Sequence, residues 1–404
     1  MRKTEHIMRV MEERKAATGK PMTLFAACPN SISVIRASFR AAKRNNAPIY
    51  FATTLNQVDC DGGYTKMTQA QFTAILKQEA EAVNYTGPYV VAIDHGGPWL
   101  KDKQSLEKYS LEQAMDGVKQ SYEAALLAGY DLIHVDPTVD ITLPKGQIID
   151  IHVVVKRTVE LIKHAEDFRK AHGIAPISYE VGTEEVHGGL ADQTTFDIFL
   201  TELKEGLHEV GLDEAWPIFI VGKVGTDLHT TLFDGKVARE LTAKVRPFGS
   251  YIKGHYTDDV DNPEDYPLCG MGAANVGPEF TMCEYDGLME LVAMEEQLGL
   301  PKSGMKEALW QAVYESGRWR KWLHGEEVGK DLKDCSKERQ VWLVKTGCRY
   351  IWQDERVLAA RETLYRNLEA EGIHAEDIVL MRIEHNMDKY YNAFNIVNLN
   401  DYLR

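Results

Sequence analysis

The chain has 404 residues, 44% hydrophobic and 26% charged, with a formal net charge of -15. Such a mixture suits a globular protein with a sizeable core. The dispersed acidic excess argues against nucleic acid or an anionic membrane surface as a partner, although local basic residues can still receive an anionic small substrate.

The opening segment, MRKTEHIMRVMEERKAATGKP, has the pattern of a charged amphipathic helix and lacks the apolar core of a signal peptide. Strands are then predicted at 22–28, 49–54, 89–94, 131–136, 177–182, 218–224, 249–255 and 268–276. Helical patterns lie between them: ISVIRASFRAAKRN behind Ser31, MTQAQFTAILKQEAEAV with Thr68 as a cap, and SLEQAMDGVKQSYEAALLAG ending at Gly129. No apolar run much exceeds about five residues, far short of the roughly 20 that a membrane helix needs. Cys28, Cys60, Cys269, Cys283, Cys335 and Cys348 form no CxxC pair, which predicts a reducing, cytoplasmic setting.

Eight strands alternating with helices predict a (β/α)₈ barrel over residues 1–302. The eighth run is Gly-rich and the weakest. Seven strands would also suit a doubly wound sheet, but no GxGxxG follows the first strand. Over 303–404 strand-like runs vanish, and five of the seven tryptophans fall between residues 310 and 352. This part is expected to be helical and to pack on the barrel or on a partner subunit.

A (β/α)₈ barrel builds its active site from the C-terminal strand ends. Those ends carry Asp94-His95, His134, Asp136, Glu180, Glu184, His187, His229, Lys253, His255, Asp258 and Asn275. Five of the thirteen histidines fall there. A single one could simply be a loop residue bonded to backbone. Several converging ones suggest a metal site, because neutral imidazole on a rigid strand end suits zinc and similar ions. Asp94 and His95 should point to opposite faces of an ideal strand, but a break at Gly96-Gly97-Pro98 would let both face the cavity. The plain alternative for Asp94 is a turn or helix cap.

The stretches ATTLNQVDCDGGYTKMT, DHGGP, YEVGTEEVHGG, NVGPEFT, GHYTDD and CRYIWQDERVLAARETLYRNLE resemble those of the tagatose-1,6-bisphosphate aldolase non-catalytic (Z) subunit family, in order and spacing. The resemblance implies a barrel related to class II, metal-dependent aldolases. It implies His95, His229 and His255 as ligands of a divalent ion, with zinc first and manganese, nickel, cobalt or magnesium as alternatives. Asp94 becomes the acid/base, Glu184 a second catalytic carboxylate, and Asn56, Gln57, Asp136, Lys253, Asp258 and Asn275 the substrate contacts. The activity implied is 4-epimerisation or cleavage of a ketose or ketose phosphate. The alternative is a non-catalytic subunit that stabilises an aldolase catalytic partner; a homo-oligomer is the other assembly expected. No Gly-Ser-Gly phosphate cradle follows the seventh strand, so a non-phosphorylated or differently modified sugar is compatible with the sequence.

Overall fold

The computed structural model describes residues 2–144, 147–182, 193–227 and 232–403. Eight parallel strands close into a barrel in sequential order: β1 Leu24–Ala27, β2 Ile49–Thr54, β3 Tyr89–Gly96, β4 Leu132–Val135, β5 Ser178–Val181, β6 Phe219–Val221, β7 Tyr251–Gly254 and β8 Ala273–Val276. All eight predicted runs are strands, including the Gly-rich eighth, so the barrel replaces the open-sheet alternative. The predicted helices form where their caps place them. Ser31 accepts from the Val34 N–H, and Thr68 and Ser110 build capping boxes with Gln71 and Gln113.

Strand register fixes which side chains enter the barrel. Thr54 pairs with Asp94, Ala92 with Leu132, His134 with Glu180, and Val221 with Lys253. Side chains alternate across each strand, so the residues between these point outward and meet helices. Phe39 of the helix Ile32–Asn45, for example, packs on Phe51 with ring centroids 5.0 Å apart. The inward set is apolar or small toward the strand starts. It turns polar toward the C-terminal ends, at Thr54, Asp94, His134, Glu180, Lys253 and Asn275.

The first helix, Lys3–Thr18, closes the other end: Lys3 Nζ reaches Tyr89 O and Asp131, and Glu5 accepts from Ser178. After residue 303 the main helices are Met305–Ser316, Lys337–Gly347, Glu355–Glu369 and Ala375–Ala393. The last lies against the helices Ile32–Asn45 and Pro278–Gln297, where its Tyr390 and Tyr391 pack on Phe25 of β1. Among the described residues no helix is long and apolar enough to cross a membrane.

The DHGGP turn is packed tightly on β4. A methyl group on Gly97 would sit 1.7 Å from the Asp136 carbonyl oxygen, and one on Gly96 would sit 2.8 Å from that of His134. The neighbour in both cases is backbone, which cannot rotate away. Gly97→Ala is therefore expected to cost about 3 kcal/mol or more of stability. Denaturant unfolding of the variant checks this, and a parent-like midpoint would show that the turn can shift.

Candidate active site

Asp94 and His95 both face the cavity, and the device is a β-bulge. Ile93 pairs with Ile133 and Gly96 with Val135, so two residues of β3 oppose one of β4. His95 takes up the bulge with a left-handed φ of 50°. The sequence suggested that a glycine break frees the pair; instead the strand continues through Gly96, and the turn occurs within the Asp94-His95 pair itself. The His95 N–H donates to His134 Nδ1 at 3.0 Å, which pins the bulge. The other ring nitrogen, His134 Nε2, is buried and has no hydrogen-bond partner among the described residues.

Two imidazoles converge. His95 Nε2 lies 3.0 Å from His255 Nδ1. The far nitrogen of each ring meets a carboxylate: His95 Nδ1 lies 2.6 Å from Asp136, and His255 Nε2 lies 3.1 Å from Glu180 Oε1. Carboxylates holding one ring nitrogen while the other is presented is the arrangement that orients histidines around a metal ion. Bonds of about 2.0–2.1 Å to zinc leave tetrahedral donors roughly 3.3 Å apart, close to the observed spacing. His95 and His255 thus fit a divalent ion. Asp94 lies beside them, 4.0 Å from His95 Nε2, while the His255 nitrogen it approaches, at 3.7 Å, is the Nε2 that meets Glu180. Among the described residues, the groups whose ligand atoms lie close enough to share an ion are Asp94, His134, Glu180 and His255, and His95, His134 and Asp136. His229, expected as the third ligand, and Glu184 lie outside the described residues.

Charge in the cluster is strongly coupled. Burial pushes the Asp94 carboxyl up, but the charges of His95 and His255 and the Lys253 ammonium together hold it well below the usual range. Burial would lower His95, yet Asp94 and Asp136 outweigh it and raise it to about 9. For His255 burial wins, and it falls to about 4. Lys253, fully buried, donates to Glu180 at 2.7 Å. Burial again opposes ionisation of Glu180, and Lys253, His134 and His255 overcome it.

The cluster opens into a cleft of about 240 Å³, lined by Asp94, His95, His255, Tyr256, Asp258 and Asn275 from the barrel and by Lys321, Trp322, Arg349 and Tyr350 from the C-terminal region. The family model described as "D-tagatose-1,6-bisphosphate aldolase subunit GatZ/KbaZ-like" matches residues 8–393. The chain belongs to this family. This GatZ/KbaZ-like chain is similar in fold to a probable tagatose 6 phosphate kinase from Sinorhizobium meliloti 1021. That match has 21% identity and a TM-score of 0.75, and covers 92% of this chain and 100% of the other. Against fructose-bisphosphate aldolase from Campylobacter jejuni the values are 10% and 0.57, covering 98% and 95%.

Of the other site residues expected in this GatZ/KbaZ-like chain, Asn56, Gln57, Asp258 and Asn275 line the cleft, and Asp136 and Lys253 do not. Asp136 is spent on His95 and Thr138, and Lys253 on Glu180. The Gln57 amide is committed to Thr54, Pro29 and Asn30, and the Asn56 amide to Leu100 and Asp102, so both mainly shape the wall. Asn275 donates to both Asp94 oxygens at 3.2 Å. His134 and Glu180, noted at their strand ends, had been given no catalytic, metal or substrate role. Their signal was a polar residue at an inward position of an otherwise apolar strand.

Asp258 accepts the N–H groups of Gly277 and Glu279, each at 2.9 Å, at the start of the helix Pro278–Gln297. Burial and the Glu279 charge raise its pKa to about 7, against those two bonds and the Arg349 charge. A carboxyl with a raised folded-state pKa binds more protons folded than unfolded, so stability falls as pH rises from about 4 to about 7. Asp258→Asn keeps an acceptor for the helix but cannot ionise. Melting temperatures from pH 5 to 8 should therefore fall less steeply in the variant, with the relative gain largest near pH 8. Parallel curves would show that Asp258 does not titrate in that window.

Proposed function

We propose that this chain is a metal-dependent enzyme that opens and re-forms the C3–C4 bond of a ketose or ketose phosphate, acting as a 4-epimerase or within a class II tagatose-bisphosphate aldolase. The observation that carries the reading is the meeting of His95 and His255, each ring backed by a carboxylate, beside the ionised Asp94. A divalent ion held there would act as a Lewis acid toward the charge that develops on the ketose oxygens.

Asp94 takes the proton from the C4 hydroxyl. The C4–O bond becomes a carbonyl, C3–C4 breaks, and the electron pair passes to C3. If the aldehyde turns and C3 adds to its other face, the new C4 oxygen takes a proton and the product is the 4-epimer; if it departs, C3 takes the proton that Asp94 holds and the reaction is a cleavage. Glu184 is proposed as the proton carrier on the second face. Asn275 keeps the Asp94 carboxylate oriented, and Lys253 with Glu180 holds the negative charge of the cluster in place.

A second reading has the chain supporting a separate aldolase catalytic subunit, and the family description, an aldolase subunit, favours it. One experiment addresses both. The purified chain is loaded with Zn²⁺, Mn²⁺, Ni²⁺, Co²⁺ or Mg²⁺ and incubated with C5 to C7 ketoses and their phosphates, and products are followed by NMR. Epimers or aldehyde fragments formed by the chain alone support catalysis. No turnover alone, but stimulation of an added aldolase catalytic subunit, supports the subunit role.

A further inference from the structure

Among the described residues three arginines are almost fully buried: Arg157, Arg169 and Arg349. Arg157 pairs with Asp140 at 2.8 Å and Arg169 with Glu166 at 2.6 Å. Arg349, only 8% exposed, has no carboxylate within ion-pair distance among the described residues, and Asp258 is the cleft carboxyl its charge acts on. Its Nε donates to the Thr346 carbonyl at 2.9 Å and its Nη2 to Thr346 Oγ1 at 2.6 Å. The guanidinium also lies 4.5 Å from the centre of the Trp322 ring. The side chain is thus fixed, and it lines the cleft. Burying a cation with no anion at pairing distance is costly, so a fixed one in a ligand cleft marks a place for an anion.

The usual alternative is closed. Barrels of this kind often seat phosphate near the loops after strands seven and eight, at a helix N-terminus. Here Asp258 already takes the N–H groups of Gly277 and Glu279. Lys321, also in the lining, is held by both oxygens of Asp102 at 2.6 Å. Among the described residues Arg349 remains the cation in the lining with no carboxylate at ion-pair distance; Asp258 feels its charge but is turned to the two N–H groups.

Building on the ketose reading above, we infer that Arg349 is the specificity-determining residue for an oxyanion, carboxylate or phosphate, carried by the sugar. The C-terminal helical region then reads the substrate's charge, while the barrel carries the chemistry.

Equilibrium binding to the full chain tests this, using calorimetry with a neutral hexulose, its 6-phosphate and the hexuluronate of the same configuration. Parent chain should bind one anionic form at least about tenfold tighter than the neutral sugar, the worth of a charged hydrogen bond. A preference for the phosphate or for the uronate identifies the oxyanion. Arg349→Met should weaken that ligand by roughly ten- to a hundredfold and the neutral sugar far less, and Arg349→Lys should restore part of the loss. Equal binding of all three ligands by the parent overturns the inference. So does an equal loss for all three in Arg349→Met, which would mark a structural role. Should Arg349→Met melt well below the parent, the parent's own preference and Arg349→Lys decide. Because binding is read, absent turnover would sink the ketose-cleavage reading and leave this one standing; turnover without charge preference would do the reverse.

Discussion

Asp94→Asn is expected to lower turnover by about 10²–10⁴ while the metal content and the fold are kept, the usual worth of a positioned acid–base group. Asp94 is 5% exposed, and its side chain meets His134, Asn275, His255, His95 and Lys253. No backbone N–H is found bonded to it among the described residues, so it has nothing to cap. That removes the main reason for reading it as a turn residue. Asparagine keeps the shape and one acceptor, which can still face the Asn275 amide. It cannot take a proton. The measurement is kcat of the variant on the ketose identified by screening, beside its zinc content. Activity near the parent value would retire Asp94 as the proton carrier.

The strands were legible because parallel strands buried on both faces read as short apolar runs, and each run here is bounded by a helix signal. The Asp94-His95 pair was legible because two titratable residues interrupt such a run. How it works was not. The bulge depends on a backbone N–H meeting a side chain of the next strand, His95 to His134, 39 residues away. Asp136 shows the same limit. The sequence places it at a strand end but not beneath His95 rather than beside substrate, because that depends on how β3 and β4 are staggered. His134 and Glu180 could be placed at strand ends, but their joint part in the cluster becomes visible only once register makes them neighbours. Arg349 belongs to a stretch expected to pack on the barrel or a partner; that it reaches the cleft depends on how helices some 250 residues after β3 fold back over the strand ends.

Metal affinity should respond in a graded way to three substitutions. His255→Ala and His95→Ala each remove a donor whose partner nitrogen is 3.0 Å away, and each is expected to lower zinc affinity by more than about a hundredfold. Asp136→Asn leaves both rings in place. It removes only the carboxylate on His95 Nδ1, 2.6 Å distant, and should cost roughly ten- to a hundredfold, the range for groups that orient a ligand. The rival is a buried ion-pair network that needs no metal. In that case all three changes would chiefly lower stability, because each leaves a buried charge or polar group unpaired. Metal binding to the folded chain raises the melting temperature by mass action, so titrating zinc during thermal unfolding reads both quantities in one experiment. A zinc-dependent rise in the parent, smaller in Asp136→Asn and absent in His255→Ala, is the expected series. A parent melting temperature indifferent to zinc, manganese, nickel, cobalt and magnesium would assign the cluster to structure alone.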